Sequence, residues 1–146
     1  MPDNDDEAKL LIELNQKLLN SIANLDYGIY NDLCANDMSC IEPESNQNVV
    51  IGKEFHKYYF DVYGGESSSK IQTKVTMVQR PHVQFLGKND SDGKPTGAVL
   101  SYVKLTQQTE PGKAPVTLQQ SETRVWEKRQ NGSWVNIHFH KSPYRG

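Results

Sequence analysis

The first third of the chain carries apolar residues at helical spacing. Between residues 8 and 25, leucine and isoleucine recur every three or four positions, which predicts an amphipathic helix. Asp26 can cap a second, short helix over residues 27–33, and the turn Ala35-Asn36-Asp37 is expected to end it. Residues 38–42 then predict a short strand that Pro43 stops.

A third helix and a break follow before the pattern changes. Residues 52–60 predict this helix, because Phe55, Tyr59 and Tyr63 fall on one helical face. The glycine pair at 64–65 is expected to terminate it, and residues 66–69 predict a flexible linker.

After residue 70 the apolar period becomes two, which is typical of strands. Alternation predicts strands at 71–79, 82–86, 98–108, 116–129 and 134–141, with Arg80-Pro81 breaking the first pair. Polar loops are predicted at 88–95 and 109–114. Helices followed by an antiparallel meander predict an α+β fold, with the helices on one face of a curved sheet.

The last two strands are joined by a strong hairpin signal. Asn131-Gly132 favours a two-residue type I′ turn, in which both central residues have positive φ. The resulting register pairs Gln130 with Ser133, Trp126 with Ile137, Arg124 with Phe139 and Glu122 with Lys141.

One face of this hairpin is apolar near the turn and charged at its far end. Arg124, Glu122 and Lys141 form the charged end, although such residues are rarely buried unless they are paired. Lys104 has the same position on the neighbouring strand, so three strands each place one cation in a common interior. Two interpretations have equal weight. One is a cavity for a small carboxylate, with Glu122 neutralising part of the charge and His56 on the lid side; the other is an ion-pair network that satisfies itself.

The strand at 98–108 is apolar on both of its faces. Leu100 and Tyr102 lie on one face, and Val99, Val103 and Leu105 lie on the other. The helices can cover only one side of the sheet, so we expect a second subunit on the other side. The alternative is a domain that wraps its own sheet on both sides.

Neither metal binding nor redox chemistry is predicted. His138 and His140 form a His-x-His pair on the opposite face, but no third or fourth ligand has a matching spacing, which favours an interface role. Cys34 and Cys40 form no metal or redox motif and are interpreted as reduced, small apolar residues. No cofactor is expected.

Catalysis has little support in the sequence. A general base near the cations would be Glu42, Glu44 or Glu122, and the cations would lower its pKa and its basicity. The sequence contains no nucleophile elbow, no Ser/His/Asp order and no glycine-rich phosphate loop.

Length and charge narrow the functional classes further. The 146 residues make one domain, and 16 Lys and Arg against 18 Asp and Glu give no basic footprint for a nucleic acid. No apolar run approaches a membrane span, and residues 1–7 are acidic, unlike a secretory signal. We therefore expect a cytoplasmic protein with a disordered acidic tail at 1–7, a domain at 8–143 and a C-terminal tail at 144–146.

Six stretches of the sequence carry a resemblance to a known family. They are IEPE at 41–44, GKEFHKYYF at 52–60, RPHV at 80–83, SYVKLTQ at 101–107, QSETRVW at 120–126 and WVNIHFHKS at 134–142. Together they resemble the association, or hub, domain of calcium/calmodulin-dependent protein kinase II, over residues 8–143. That family lies within the nuclear-transport-factor-2-like and SnoaL-like superfamily.

The resemblance implies a cone-shaped half-barrel that is not itself catalytic. It also implies self-assembly into a double ring, like a dodecamer or tetradecamer or larger, that serves as a scaffold for a calmodulin-regulated kinase. The family's pocket arginines correspond to Lys104, Arg124 and Lys141, and its pocket histidine corresponds to His56. Lysine supplies a point charge where arginine supplies a bidentate fork. The family's aromatic flap residue is replaced by the glycine pair at 64–65.

Two alternatives remain open at this stage. One is whether the chain is a stand-alone hub or part of a longer kinase, with a kinase hub as its partner. The other is whether it is a small-carboxylate-binding or isomerase-like member of the SnoaL type that uses the cationic pocket.

Overall fold

The computed structural model describes residues 4–64 and 71–146, which form three α-helices and a six-stranded sheet. The predicted linker at 66–69 and Gly65 lie outside these described residues. The curved, unclosed sheet with helices against it confirms the predicted α+β fold. The helices are α1 (Asp5–Ala23), α2 (Tyr27–Leu33) and α3 (Glu54–Tyr63), and the strands are β1 (Cys34–Ile41), β2 (Val49–Ile51), β3 (Gln72–Leu86), β4 (Gly97–Thr109), β5 (Val116–Lys128) and β6 (Trp134–Lys141).

Helix α1 begins three residues before the predicted start at residue 8. Its first turn contains Asp5, Asp6 and Glu7, and negative charge there interacts favourably with the helix dipole. Asp5 also forms ion pairs with Lys9 at 3.2 Å and with Arg80 at 2.9 Å. Part of the predicted disordered tail is therefore helical.

The sheet order is β2-β1-β6-β5-β4-β3. Strand β1 runs parallel to β6, whereas the other described pairs are antiparallel, so the predicted all-antiparallel sheet is corrected to a mixed one. The predicted turn at 35–37 lies inside β1, where the pairing with β6 shifts between Cys34 and Ser39, so the chain accommodates it as an irregularity and the strand continues. The short edge strand β2 was not predicted.

Strand β3 is continuous across Arg80-Pro81, where a break was predicted. Gln79 has a positive φ of 62°, and the pairing with β4 shifts between Val78 and His82. The irregularity accommodates the proline, which cannot donate a ladder hydrogen bond. The two predicted strands thus form one bent strand.

The hairpin between β5 and β6 differs from the prediction at its turn. The Arg129 amide donates to the Ser133 carbonyl at 2.7 Å, so the loop has three residues, and only its last residue, Gly132, has a positive φ, of 89°. The longer loop shifts the register by one, and Trp126 pairs with Asn136. The predicted pairing of Trp126 with Ile137, and Ile137's place on the inner face, were wrong.

A β-bulge restores the predicted register farther along the hairpin. The pairing shifts between Val125 and Trp126, which leaves Ile137 as the extra residue of β6. The predicted pairs Arg124 with Phe139 and Glu122 with Lys141 are confirmed.

The two faces of β4 differ sharply in burial. Leu100, Tyr102 and Lys104 are buried on the inner face, against which α1 packs, while Val99 and Val103 on the outer face are half-buried. The indole of Trp126 donates to Asn15 of α1 at 3.0 Å, which ties the helix to the inner face. None of the helices within residues 4–64 and 71–146 has both the length and the apolar character needed to cross a lipid bilayer.

The C-terminal residues extend the sheet beyond the predicted domain end. Arg145 forms two backbone hydrogen bonds with Gln119, of 2.7 and 2.9 Å. The Tyr144 hydroxyl donates to Glu44 at 3.0 Å. The segment predicted as a tail at 144–146 is therefore joined to β5 through Arg145.

Candidate functional site

A cavity of about 470 Å³ lies between the inner face of the sheet, the end of α1 and helix α3. The three cations predicted from strand alternation, Lys104, Arg124 and Lys141, all line it. His56 of α3 lines the same cavity, as the resemblance implied. Four of the five predicted site residues thus line one cavity, three from the sheet and one from α3.

Glu122, the fifth predicted residue, lies behind the cations and outside the cavity wall. Its Oε1 is 3.2 Å from Lys104 Nζ, and its Oε2 is 3.2 Å from Arg124 Nε. The Tyr102 hydroxyl also donates to Oε2. Because Glu122 is fully buried, it neutralises two cations from the side away from the cavity.

Glu42, at the end of β1, is the second carboxylate of the site. Its Oε1 lies 3.2 Å from Lys141 Nζ, and its Oε2 accepts hydrogen bonds from His56 and from the Cys40 thiol. From the sequence, Glu42 was only one of three candidate bases. Its pairing with Lys141 depends on the contact between β1 and β6, which is distant in sequence and leaves no local signal.

Asn136 is a site residue that sequence reasoning missed. The predicted register placed Ile137 on the inner face, but the bulge turns Asn136 inward. Its Oδ1 accepts a hydrogen bond of 2.7 Å from Arg124 Nη1. On the cavity side, the guanidinium carbon of Arg124 lies 4.3 Å from the centre of the Phe139 ring, a cation–π contact.

Buried charges shift the pKa values of both carboxylates downward. For Glu122, burial favours the neutral form, but Arg124 and Lys104 outweigh it and lower the pKa. For Glu42, burial is likewise outweighed by the hydrogen bond from His56 and by Lys141, which lower the pKa. Both groups are ionised and weakly basic, which agrees with the weak case for a general base.

The pKa values of Lys104 and Lys141 shift in opposite directions because their surroundings differ. Burial lowers the pKa of Lys104 to about 8, although Glu122 opposes the shift. Lys141 is also buried, but Glu42 and Glu44 outweigh the desolvation and raise its pKa. Lys104 is therefore the cation whose charge changes nearest to neutral pH.

Of the two predicted interpretations, the ion-pair network is present in the structure. Each cation has a carboxylate oxygen within 3.2 Å. The cations nevertheless also border the cavity, so the network does not close off the space where a ligand would sit.

His138 lies away from this site, on the outer side of the sheet. Its Nδ1 is 2.7 Å from the Ser39 hydroxyl, and the residue pairs with Val125. Burial and the neighbouring His140 lower the pKa of His138.

Known proteins resemble this chain over nearly its whole length. The family model described as the calcium/calmodulin-dependent protein kinase II association domain matches residues 7–145. The chain belongs to that family. The resemblance noted in the sequence is thereby confirmed, and the SnoaL-type alternative is no better supported.

Individual relatives agree with this membership. The chain is 34% identical over 132 residues to the type II kinase subunit delta of Oryctolagus cuniculus, covering 90% of this chain and 23% of that protein. The hub homology domain from Chlamydamonas reinhardtii superposes with a TM-score of 0.79 at 40% identity, covering 93% of this chain and 96% of that one. The chain thus spans about a quarter of the curated kinase and nearly all of an isolated hub homology domain.

A more distant neighbour places the association domain in its wider fold. A nuclear transport factor 2-like protein from Salmonella enterica superposes with a TM-score of 0.71 at 17% identity, covering 96% of this chain and 92% of that one. At this identity the likeness concerns the fold alone.

Proposed function

We propose that this chain is a non-catalytic oligomerisation module that assembles with copies of itself into a double ring. The observation that carries the proposal is the outer face of β4, where Val99, Val103 and Leu105 are half-buried in the single chain, whereas the core that the described helices join lies on the inner face. An apolar sheet face of this kind marks a protein–protein contact. Membership of an association-domain family supports the same role.

A double ring needs two kinds of contact. An isologous contact joins the two rings, and a heterologous contact closes each ring. The outer sheet face suits the first. The edge strand β2 suits the second, because Val49 is 63% exposed and Ile51 is 74% exposed. Small rotations at the ring-closing contact set the number of subunits, so we leave that number open, with twelve or fourteen as the family-like expectation.

Native mass spectrometry of the purified chain tests the proposal. We expect a large assembly with an even number of subunits, and Val103→Glu should break it into smaller species. Asn89→Glu, which adds the same charge on an exposed loop, should leave the assembly intact. A wild-type monomer or simple dimer would contradict the double ring.

Because a relative of this chain is a kinase subunit, we further propose that the assembly acts in the cytoplasm as a scaffold that accepts kinase subunits. Subunit exchange distinguishes this role from a stand-alone hub. The chain is mixed with an isolated kinase association domain, and native mass spectrometry then looks for mixed assemblies. Unmixed assemblies after prolonged incubation favour the stand-alone form.

A second candidate function is the binding of a small carboxylate in the cavity. The observation that favours it is that Lys104, Arg124 and Lys141 border the cavity while Glu122 pairs with two of them from behind. A carboxylate in the cavity would therefore meet three cationic side chains that already border it. The other proposed contact is His56.

Thermal unfolding with a panel of small carboxylates tests this second function. A ligand at 100 times its dissociation constant should stabilise the protein by about 2.7 kcal/mol. Lys104→Met should reduce the shift, whereas Lys88→Met, at an exposed loop position, should not. An equal shift in both variants would argue against the proposed site.

A further inference from the structure

Three side chains of different chemistry converge beside the cavity. Cys40 Sγ lies 3.2 Å from Glu42 Oε2 and 3.7 Å from His56 Nε2, and all three ligand atoms lie within 4.8 Å of one another. Cys40 and Glu42 are only 1% and 2% exposed. No local sequence pattern links them, because Cys40 belongs to β1 and His56 belongs to α3.

We propose that Cys40, Glu42 and His56 form a zinc-binding site. In a tetrahedral zinc site the ligands are about 2.0 to 2.3 Å from the metal, which places sulfur, nitrogen and oxygen atoms roughly 3.5 Å from one another. The two sulfur distances lie on either side of that value, whereas Glu42 Oε2 and His56 Nε2 are in direct hydrogen-bond contact and must move apart to admit the ion. One thiolate, one imidazole and one carboxylate are ligands that zinc accepts together.

The neighbours of the three side chains hold them in place. Lys141 pairs with Oε1 of Glu42, which leaves Oε2 directed at Cys40 and His56. The imidazole packs between aromatic rings, with its centroid 5.5 Å from Phe55 and 5.5 Å from Phe139. Its Nδ1 has no hydrogen-bond partner among the described residues, so ring packing and the hydrogen bond of Nε2 to Glu42 orient the imidazole.

The site has three protein ligands and room for a fourth from the cavity. Glu42 and His56 both line the cavity, so the remaining coordination position faces it and would hold water or a carboxylate oxygen. On binding, zinc takes the place of the thiol proton of Cys40, and that proton leaves to solvent as the thiolate–zinc bond forms. The proposal concerns binding alone and does not depend on self-assembly.

Cobalt(II) substitutes for zinc and reports its ligands by absorption, so it is the probe. Titration of the wild-type protein should reach one cobalt per chain, with a sulfur-to-cobalt charge-transfer band and the intense visible bands of a tetrahedral ion. Added zinc should remove both. If cobalt binds without the sulfur band, or does not bind, the proposal is overturned, and this arm needs no variant.

A pair of cysteine variants locates the thiolate. Cys40→Ser should abolish the sulfur band, while Cys34→Ser, which removes a buried thiol outside the cluster, should retain it. Persistence of the band in Cys40→Ser, or its loss in a folded Cys34→Ser, would overturn the assignment. Glu42→Gln should weaken cobalt binding at least tenfold and keep the sulfur band. Circular dichroism verifies that each variant is folded.

Discussion

Arg124 donates a hydrogen bond of 2.7 Å to Oδ1 of Asn136, and neither residue has measurable exposure. The Asn136 amide donates in turn to the carbonyls of Val125 and His138, at 2.8 and 2.9 Å, on the two strands at the bulge. A single side chain therefore holds the bulge and orients a cation of the cavity wall.

Asn136→Ala should lower the free energy of unfolding by about 3 kcal/mol, because it leaves a buried guanidinium donor and two backbone carbonyls without their partner. Urea unfolding at a fixed chain concentration measures the loss. Asn89→Ala, at an exposed loop position, should stay within about 0.5 kcal/mol of wild type. If Asn136→Ala lost as little unfolding free energy as Asn89→Ala, other groups would have replaced the hydrogen bonds of Asn136.

The same bulge shows which part of the β5–β6 hairpin could be predicted from the sequence. Alternation correctly placed Arg124 opposite Phe139 and Glu122 opposite Lys141. The turn was assigned one residue too short, and the extra residue Ile137 compensated for the error farther along the strand. Turn type and bulge depend on the backbone that both strands adopt together, which residue alternation alone does not encode.

Gly132→Val should destabilise the protein by roughly 2 kcal/mol. A Cβ at Gly132 meets no atom within 4 Å, so the cost comes from the positive φ of 89°, which a β-branched residue resists. Thermal unfolding measures it. Gln130→Val, in the same loop without a positive φ, is the control and should change stability little. An unchanged melting temperature for Gly132→Val would refute the observed turn.

Lys104 should make stability rise with pH in mildly alkaline solution. Its folded pKa of about 8 lies below the ordinary value of 10.5. Between these values the unfolded chain binds more protons than the folded chain, so the free energy of unfolding rises with pH. Between pH 8 and 10 the gain is roughly 2 kcal/mol.

The difference between wild type and Lys104→Met isolates this contribution, because the raised pKa values of Tyr30 and Tyr102 affect both proteins. Burial is the main cause of the lowered pKa of Lys104; among its charged neighbours Glu122 opposes the shift, and Lys141 and Arg124 add to it. Urea unfolding across the pH range gives the comparison. A difference that stays flat from pH 8 to 10 would show that Lys104 keeps its ordinary pKa when buried.

Tyr102→Phe should lower stability by about 1 to 2 kcal/mol, because Glu122 loses a buried hydrogen-bond donor. Tyr58→Phe is a matched control, since Tyr58 is 63% exposed, and its effect should be small. Chemical denaturation of both variants makes the measurement. Equal effects would mean that Lys104 and Arg124 satisfy Glu122 without the phenol.

Sequence reasoning could bring the three cations together but could not bring Glu42 and Cys40 to them, and the reason is physical. Lys104, Arg124 and Lys141 lie on consecutive antiparallel strands, so a period of two suffices to bring them together. Glu42 and Cys40 reach the same place through the parallel contact of β1 with β6, almost one hundred residues away in sequence. No local pattern encodes such a contact, and the polar run at 35–37 even favours a turn there.

That parallel contact also sets an order of events during synthesis. While the ribosome makes this domain, β1 emerges before β2, β3, β4 and β5, and its neighbour β6 follows all of them. Until then β1 has only the short strand β2 beside it, and the Glu42 carboxylate has no Lys141 to pair with. Contacts of such long sequence separation form slowly. The sheet, and the cavity that it lines, are therefore completed only after translation of the domain has ended.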